Sequence, residues 1–422
     1  MIDDATRPWP ETPETCGDPC IAPKNVNVDV AIIGAGIHGC ALARELTLRG
    51  VSSAVVDRGS IGGGTSQWSS QLLHGGIRYL QTGDIKQMRE GLAERATWAN
   101  IAPWRVRWES FWMPHRGLFE GLSHRLGIGL YDHWGRDRPG WPSRLHLGAV
   151  PAAVFEADLR ARNTPFRGAV AYADLMTWDR DLVRDLAASS GATWLDFHEV
   201  EGFDDESGAL KAARLRDLRD GSRRTLHAGK WVFALGPWND PFMKRWFGEE
   251  RRRLRLSSGI HLWFDAPELL KGCEHPWALM RGHGRILFVI PRDGLLQVGT
   301  TERAVADGWV PILETEREEL FLALEENIPS VPWRILPVRM EELGVRPLVR
   351  PPKDRAGTPK LSREAVLEEH PTFSNLRLVL GGKLTTARAL MDCLATDITG
   401  MECPASRSQA LKKWDGQSAP LQ

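Results

Sequence analysis

Short apolar runs separated by glycine turns organise the first sixty residues of the chain. The run VDVAIIG (28–34) is rich in β-branched residues and predicts a buried parallel strand. The next segment, AGIHGCALARELTLRG (35–50), places its apolar residues roughly on one helical face and ends in glycine, so it predicts a helix. The run SSAVVD (52–57) predicts a second strand. The order strand, helix, strand indicates a βαβ unit.

The same patterning predicts the elements that follow. A helix is predicted within 84–103, and a buried strand that ends in a glycine turn is predicted in WVFALGPW (231–238). A long strand is predicted in LRLSSGIHLWF (254–264), and a hairpin about Arg292, Asp293 and Gly294 is predicted in RILFVIPRDGLLQVGTT (285–301). The segment 342–364 is predicted to be mostly loop, and a strand, a double glycine and a helix are predicted over 375–398. A sheet-rich block after a βαβ start indicates a second, sheet-based domain.

Tryptophan and arginine alternate through 104–147. Amphipathic rings and guanidinium groups suit either an internal surface between domains or a peripheral contact with a membrane face. We favour internal packing for this stretch.

Composition excludes several classes of protein. Lys+Arg 54 balances Asp+Glu 54 in the 422 residues, so net charge gives no case for nucleic-acid binding. No uncharged apolar run is long enough to span a bilayer, and the acidic, proline-containing N-terminus lacks the features of a secretory signal. We therefore expect a cytoplasmic protein with a flexible tail over 1–27.

The six cysteines give no metal-ligand pattern. Cys16 and Cys20 lie four positions apart, but no second pair provides the spacing of a zinc or iron–sulfur site. We expect inert thiols and no metal.

Glycines at the first strand–helix junction carry the strongest signal for chemistry. Gly34, Gly36 and Gly39 follow the pattern G-x-G-x-x-G, with Ile37 and His38 between the last two glycines. Asp57 closes the next strand, where its carboxylate can accept from ribose hydroxyls. The pattern predicts dinucleotide binding, with the pyrophosphate at the helix N-terminus. It does not by itself distinguish a nicotinamide cofactor from a flavin.

The segment GGGTSQWSSQLLHGG (62–76) favours a flavin. Its glycines and small hydroxyl side chains offer many donors to a bulky ligand, and LGGKLTTAR supplies a second strand–glycine–helix junction. Two helix N-termini directed at one cofactor suit FAD. Lys383 lies at the predicted start of that last helix, where the macrodipole disfavours a cation unless an anion is near; the alternative is a lysine that extends into water.

The motifs together resemble the FAD-dependent glycerol-3-phosphate dehydrogenase and oxidase family. The matching segments, in family order, are IIGAGIHGCALARELTLRG, GTSQWSSQLLHGGIRYL, LYDHWGR, ALGPW, SSGIHLWFD, RILFVIPRDGLLQVGTT, GVRPLV and LVLGGKLTTAR, which extend over nearly the whole chain. The resemblance implies an α/β (α+β overall) chain: a glutathione-reductase-like, Rossmann-type FAD-binding domain with an antiparallel-sheet substrate domain, like D-amino-acid oxidase. It implies hydride transfer from C2 of sn-glycerol 3-phosphate to flavin N5.

Domain boundaries and site residues follow from the resemblance. The FAD-binding domain is expected at 28–103, 165–240 and 340–400, the substrate domain at 104–164 and 241–339, and a C-terminal tail at 401–422. The expected cofactor-binding residues are Gly34, Gly36, Ile37, His38, Gly39, Asp57, Arg58, Thr65, Ser66, Ser69, His74, Gly75, Gly76, Gly236, Gly382, Lys383, Leu384 and Thr385. The expected substrate-pocket residues are Arg78, Tyr79, His261, Arg346, Arg363 and Lys383.

The resemblance also implies roles. Arg346 and Arg363 align with arginines that hold the phosphate, since a guanidinium meets phosphate oxygens bidentately; the alternative is two loop arginines in exposed ion pairs. His261 is the expected proton acceptor, because an imidazole titrates near neutral pH, with His74 as the weaker candidate and a purely structural histidine as the alternative. Electrons are expected to pass on to quinone or oxygen.

Three departures from the family leave the substrate open. Gln71 replaces a lysine, Ala387 a tyrosine, and Glu302 the aspartate of the TTD motif. We expect the first two to change the charge and volume of the pocket. The sequence also ends at Gln422, where the family continues into a helical C-terminal domain, so we expect a short member without it. The alternatives are an oxidase of an amine or hydroxy acid and a catalytically silent flavoprotein.

Overall fold

The computed structural model describes residues 25–77, 79, 83–136, 147–151, 165–271, 273–281, 285–350 and 365–414. Two expected substrate residues, Arg78 and Arg363, lie outside the described residues, as does most of the expected N-terminal tail.

The strands, in chain order, are β1 Asn25–Ile33, β2 Ser53–Val56, β3 Leu72–Leu73, β4 Val106–His115, β5 Gly148–Pro151, β6 Gly168–Thr177, β7 Thr193–Leu195, β8 His198–Glu206, β9 Ala209–Asp217, β10 Arg223–Phe233, β11 Leu254–Phe264, β12 Trp277–Arg281, β13 Arg285–Arg292, β14 Leu295–Gly299, β15 Arg303–Val305, β16 Val338–Val349, β17 Val366–Glu369 and β18 Leu376–Leu380. The helices are α1 Ile37–Leu48, α2 Ile85–Ile101, α3 Leu118–Arg136, α4 Asp179–Ala188, α5 Asn239–Phe247, α6 Pro267–Leu270, α7 Glu314–Asn327 and α8 Ala387–Thr399.

The first sheet has a parallel centre. Its order within the described residues is β17-β18-β10-β1-β2-β7, with β9 and β8 attached in antiparallel fashion beside β10. Residues 30–33 of β1 are at most 3% exposed, because neighbouring strands and apolar layers cover both faces. The predicted βαβ unit is confirmed, with the ends of each element within three residues of their expected positions.

Close contact at the first glycine turn fixes helix α1 on strand β1. A Cβ built on Gly39 would lie 1.8 Å from the Gly34 carbonyl oxygen, and one on Gly34 would lie 2.4 Å from the Ala234 carbonyl oxygen. Only glycine allows this approach, so the turn sits directly beyond the carboxyl ends of β1 and β10.

The second sheet is almost entirely antiparallel. Its order is β15-β11-β14-β13-β12-β4-β6-β3, with β16 also on β11 and β5 also on β6. The long strand over 254–264 and the hairpin about Asp293 are confirmed. The predicted loop over 342–364 is wrong for 342–349, which belong to β16 and pair with β11. Glutamate, arginine and proline within this half-buried strand conceal its alternation.

The stretch over 104–147 contains a buried strand and a helix with an exposed apolar face. Its strand β4 packs inward, with Phe111 and Trp112 at most 3% exposed. Helix α3 instead presents an apolar stripe outward, formed by Leu118 (80% exposed), Phe119 (90%), Leu122 (60%), Leu126 (70%) and Leu130 (41%). The prediction of internal packing therefore holds for strand β4 but not for the exposed face of helix α3.

Among the described helices, none combines the length and apolarity needed to cross a lipid bilayer.

A buried ion-pair network joins the C-terminal segment to the first sheet's helices. Arg388 of α8 donates to both carboxylate oxygens of Glu94 on α2, at 2.8 Å each, and also bonds the Ser406 hydroxyl. Arg44 of α1 donates to the Gln409 carbonyl at 2.8 Å. Residues 401–414, expected as part of a tail, thus pack on α1 and α2.

Replacement of Arg388 tests this network. Arg388→Met leaves Glu94 buried without its cation, so we expect a loss of about 3–5 kcal/mol in the free energy of unfolding. Arg334→Met removes an exposed arginine that bridges Glu318 and Glu325, and should cost less than about 1 kcal/mol. Urea unfolding followed by circular dichroism measures both; equal losses would contradict the assignment.

Candidate functional site

A cavity of about 600 Å³ opens where the two sheets meet. Residues that follow β1, β2, β10 and β18 form one side, and β16 contributes the other. This is the position expected for a ligand in an open parallel sheet, just beyond the carboxyl ends of the strands.

Most of the sequence-predicted site residues line this cavity. They are Gly34, Gly36, Ile37, His38, Asp57, Arg58, Thr65, Ser66, Ser69, His74, Tyr79, Gly236, Arg346, Gly382, Lys383, Leu384 and Thr385. Four described residues from the predicted set are not among the lining residues: Gly39, Gly75, Gly76 and His261. The three glycines shape the backbone, and His261 lies behind the lining.

Asp57 is held by backbone donors at the end of β2. Its Oδ2 accepts from the Ala35 N–H at 2.7 Å and its Oδ1 from the Gly59 N–H at 2.8 Å. Burial raises the pKa of Asp57 to about 6 despite these two bonds. The carboxylate therefore links the turn between β1 and α1 to the residues after β2, and it also lines the cavity.

His38 is a half-buried polar group at the start of α1, and its Nε2 atom is buried. Its Nε2 has no hydrogen-bond partner among the described residues, and its imidazole contacts Gly382, whose Cβ would lie 2.6 Å from that nitrogen. Burial lowers the pKa of His38 to about 4, so the ring is neutral at physiological pH. A buried ring nitrogen without a hydrogen-bond partner, beside two glycine turns, suits a ligand with polar groups.

The small hydroxyl groups predicted as ligand donors mainly hold their own loop. Thr65 donates to the Val345 carbonyl at 3.0 Å, and Ser66 accepts from the Ile37 N–H at 2.9 Å. The Ser69 hydroxyl donates to Asp179. Their hydrogen bonds therefore connect this loop to β16, α1 and α4.

The segment with His74 and Gly75 forms the cavity wall between α2 and the last glycine turn. The His74 N–H donates to the Thr385 hydroxyl at 3.2 Å, and the Gly75 N–H donates to the Tyr131 hydroxyl at 2.8 Å. The His74 side chain lines the cavity.

Lys383 lies in the turn before α8, because that helix begins only at Ala387. The prediction that Lys383 starts the helix is wrong by one turn, so the macrodipole argument does not apply. Its ammonium group donates to Gln87 Oε1 and sits 4.1 Å from the centre of the Tyr79 ring, at the cavity surface. It is half-buried and does not simply extend into water.

Arg346 reaches the cavity from β16. Its Nη2 donates to the Thr300 hydroxyl at 2.8 Å, and its Nη1 lies 3.4 and 3.5 Å from the carbonyl oxygens of Ser258 and Thr301. These three oxygen atoms hold the guanidinium in one orientation. The side chain is half-buried, which differs from the alternative of a solvent-exposed loop arginine.

His261 lies on β11 directly behind Ser70, with Nε2 3.3 Å from the Ser70 hydroxyl oxygen. Its Nδ1 has no partner within the described part of the chain. Burial, followed by the charges of Arg346 and Arg292, lowers the pKa of His261 to about 3. The expectation that this imidazole titrates near neutral pH is therefore wrong for the protein without ligand.

Two of the three family departures, Gln71 and Ala387, were expected to change the pocket, and both lie outside the cavity lining. Gln71 is buried, and its side-chain oxygen accepts from Arg292, which also donates to the Thr177 carbonyl at 2.9 Å. Ala387 is fully buried in the apolar core with Trp98. Neither residue is a cavity-lining group, so the expected change in pocket charge and volume does not follow directly from them.

Several lining residues escaped sequence reasoning. Trp238 and Trp309 pack with ring centres 5.3 Å apart and their planes tilted by 41°, and His198, Glu199 and Trp246 also line the cavity. Trp238 belongs to the ALGPW motif, so the sequence did offer a signal that this residue lines the site. The others come from segments without a motif, and only folding brings them to the cavity.

The arrangement fits a dinucleotide. The cavity volume is within the range of about 300–1,000 Å³ typical of small-molecule sites. Glycine turns that leave no room for a Cβ, a carboxylate at the end of β2 and the unpartnered His38 nitrogen are the groups that would hold it. Fold and site thus define a dinucleotide-dependent oxidoreductase.

Comparison with known proteins gives the family. The profile of the FAD dependent oxidoreductase family (DAO) matches residues 29–390, so the chain belongs to this family and its cofactor is FAD. The predicted family resemblance and cofactor are confirmed.

Curated relatives are similar at modest identity. The aerobic glycerol-3-phosphate dehydrogenases of Staphylococcus haemolyticus (strain JCSC1435) and Staphylococcus aureus (strain USA300) are each 28% identical over 373 residues, which is 86% of this chain. The chain spans 66% of the length of these relatives.

Solved structures confirm the predicted fold class. The glycerol-3-phosphate dehydrogenase from Bacillus halodurans complexed with FAD has a TM-score of 0.69 at 21% identity, over 93% of this chain and 69% of that one. The FAD-bound L-α-glycerophosphate oxidase from Mycoplasma pneumoniae has a TM-score of 0.68 at 15% identity, over 92% and 99%. Glycine oxidase from Geobacillus kaustophilus has a TM-score of 0.67 at 18% identity, over 92% and 99%.

The low pKa of His261 predicts a measurable pH effect on stability. Between pH 6.5 and about 3 the unfolded chain binds a proton here that the folded protein excludes, so the free energy of unfolding falls as pH falls. His261→Gln removes this contribution. From pH 7 to pH 5 wild type should lose up to about 2 kcal/mol more than the variant.

Urea unfolding at the two pH values measures the difference. His227→Gln, which replaces an exposed histidine, should keep the wild-type pH dependence. The same pH dependence in wild type and His261→Gln would contradict the buried neutral imidazole.

Proposed function

We propose that the protein oxidises sn-glycerol 3-phosphate, or a closely related phosphorylated or phosphonylated 2-hydroxy compound, at C2. The observation that carries the proposal is a guanidinium, Arg346, that hydrogen bonds orient at the surface of a cavity in an FAD-dependent oxidoreductase. Bound FAD supplies the acceptor for the hydride that leaves the substrate carbon.

The phosphate would bind at the Arg346 side of the cavity. Its guanidinium has the planar fork that recognises phosphate oxygens, and Thr300 and two carbonyls hold it in one orientation. Lys383 contributes a second cation to the lining. Arg363, outside the described residues, is retained as a second phosphate ligand from the sequence alone.

Phosphate binding also bears on proton transfer. We assign His261 Nε2 as the acceptor of the C2 hydroxyl proton by way of the Ser70 hydroxyl, which lines the cavity in front of it, and retain His74 as the second candidate. The charge of Arg346 helps to hold the pKa of His261 low. A phosphate on Arg346 offsets that charge, so it raises the proton affinity of the base when a phosphorylated substrate is bound.

Substitution of Arg346 tests the phosphate role. Arg346→Gln removes a charged, bidentate donor, so we expect the KM for glycerol 3-phosphate to rise about 10–100-fold. Steady-state reduction of a dye acceptor measures KM and kcat. Arg255→Gln, which replaces an exposed arginine on the neighbouring strand β11, should keep wild-type values. An unchanged KM in Arg346→Gln would remove the proposed phosphate site.

We further propose peripheral contact with a membrane through helix α3, which makes quinone the natural electron acceptor and oxygen the alternative. The apolar stripe from Leu118 to Leu130 is flanked by the exposed cations Arg116 and Arg125. An apolar stripe beside cationic groups is the pattern of helices that lie in a membrane interface.

Vesicle sedimentation tests this contact. Leu122→Gln with Leu126→Gln should reduce binding to anionic phospholipid vesicles about tenfold or more, because both leucines lose apolar burial in the lipid. Leu322→Gln with Ile335→Gln replaces two exposed apolar residues elsewhere and should leave binding unchanged. Equal binding by both double variants, or no binding by wild type, would contradict the proposal.

A further inference from the structure

A buried chain of hydrogen bonds leads from helix α3 to the cavity wall. The Tyr131 hydroxyl accepts from the Gly75 N–H at 2.8 Å and donates to the Asp174 carboxylate, at 2.8 and 3.0 Å from its two oxygens. Arg95 Nη1 donates to the same carboxylate at 2.6 Å. The three side-chain partners are each at most 3% exposed. This series of hydrogen bonds therefore ends at the backbone N–H of Gly75, in the loop over 62–76.

Packing confines the same backbone from two directions. A Cβ on Gly75 would lie 2.7 Å from the Leu92 side chain and 2.9 Å from the Tyr131 ring. A Cβ on Gly91 of α2 would lie 2.9 Å from Gly75 Cα and 3.0 Å from the His74 carbonyl oxygen. Helices α2 and α3 thus restrict movement of the His74–Gly75 backbone from two sides.

The charged pair behind Tyr131 is buried, and a buried ion pair is by itself weak evidence for a purely stabilising role. Burial raises the pKa of Asp174 to about 6 although Arg95 lies beside it, because desolvation of the Asp174 carboxylate is unfavourable. None of the three side chains lines the cavity. The pair orients the Tyr131 hydroxyl toward the Gly75 N–H, and a buried hydrogen-bond network of this kind is suited to fix the backbone conformation at Gly75.

We propose that Tyr131, held by Asp174 and Arg95, is a positioning residue that fixes the His74–Gly75 backbone against the bound flavin. The proposal rests on the assignment of the cavity to FAD and does not depend on the substrate. The His74 side chain lines the cavity, so a shift of this backbone changes the polar surroundings of the cofactor. Such surroundings set the relative stability of oxidised and reduced flavin.

Tyr131→Phe tests the proposal in the FAD-bound protein. The variant removes one oxygen and leaves both the Gly75 N–H and the Asp174 carboxylate without that partner. We expect the FAD dissociation constant, from flavin fluorescence on dilution, to rise about tenfold. We also expect a displaced midpoint potential in a spectroscopic titration; a tenfold difference between the effects on the two redox forms corresponds to about 30 mV.

Tyr172→Phe is the matched control. Tyr172 is equally buried on β6, with its ring centre 6.0 Å from that of Tyr131, and it should keep the wild-type potential and FAD affinity. Gly91→Ala, which presses on the same backbone from α2, should weaken FAD binding and serves if Tyr131→Phe does not fold.

Wild-type potential and affinity in Tyr131→Phe, or in Gly91→Ala where that variant is needed, would overturn the proposal. An equal shift in Tyr172→Phe would also overturn it, because it would show a general packing effect. No substrate enters these measurements, so they are independent of the proposed reaction.

Discussion

The loop over 62–76 holds the two sheets in the relation that creates the cavity. Ser66 bonds the N-terminus of α1, Thr65 bonds β16, and Ser70 approaches His261 on β11. Further along, His74 bonds Thr385 before α8. The first sheet supplies the dinucleotide turn and Lys383, and the second sheet supplies Arg346 and His261; the loop sets the relative position of these groups.

Burial sets the electrostatics of the site. His38 and His261 are neutral because desolvation disfavours imidazolium, and Arg346 is oriented by uncharged oxygens. The cavity therefore combines neutral bases with positive charge, which suits an anionic substrate and an anionic reduced cofactor. On this account a phosphate both binds at Arg346 and increases the basicity of His261, so recognition and proton transfer depend on the same charge.

Local signals were sufficient for the parallel core and the cofactor. The glycine turn at Gly34, with its flanking strands, is encoded in adjacent residues, and the hairpin about Asp293 carries its own turn signal. Strand β16 was missed because polar residues and a proline obscure its alternation. The link between Tyr131 and Gly75 joins residues 56 positions apart, so no local pattern reveals it. The low pKa of His261 depends on burial that only the folded chain creates.

The most direct measurement is anaerobic reduction of the bound flavin, followed by absorbance in the visible flavin band. The proposed site predicts that sn-glycerol 3-phosphate bleaches this band, while glycerol, which lacks the phosphate, and glycine, which offers an amine, do not. Bleaching by glycine, or equal bleaching by glycerol and glycerol 3-phosphate, would contradict a cavity built to bind a phosphorylated 2-hydroxy substrate.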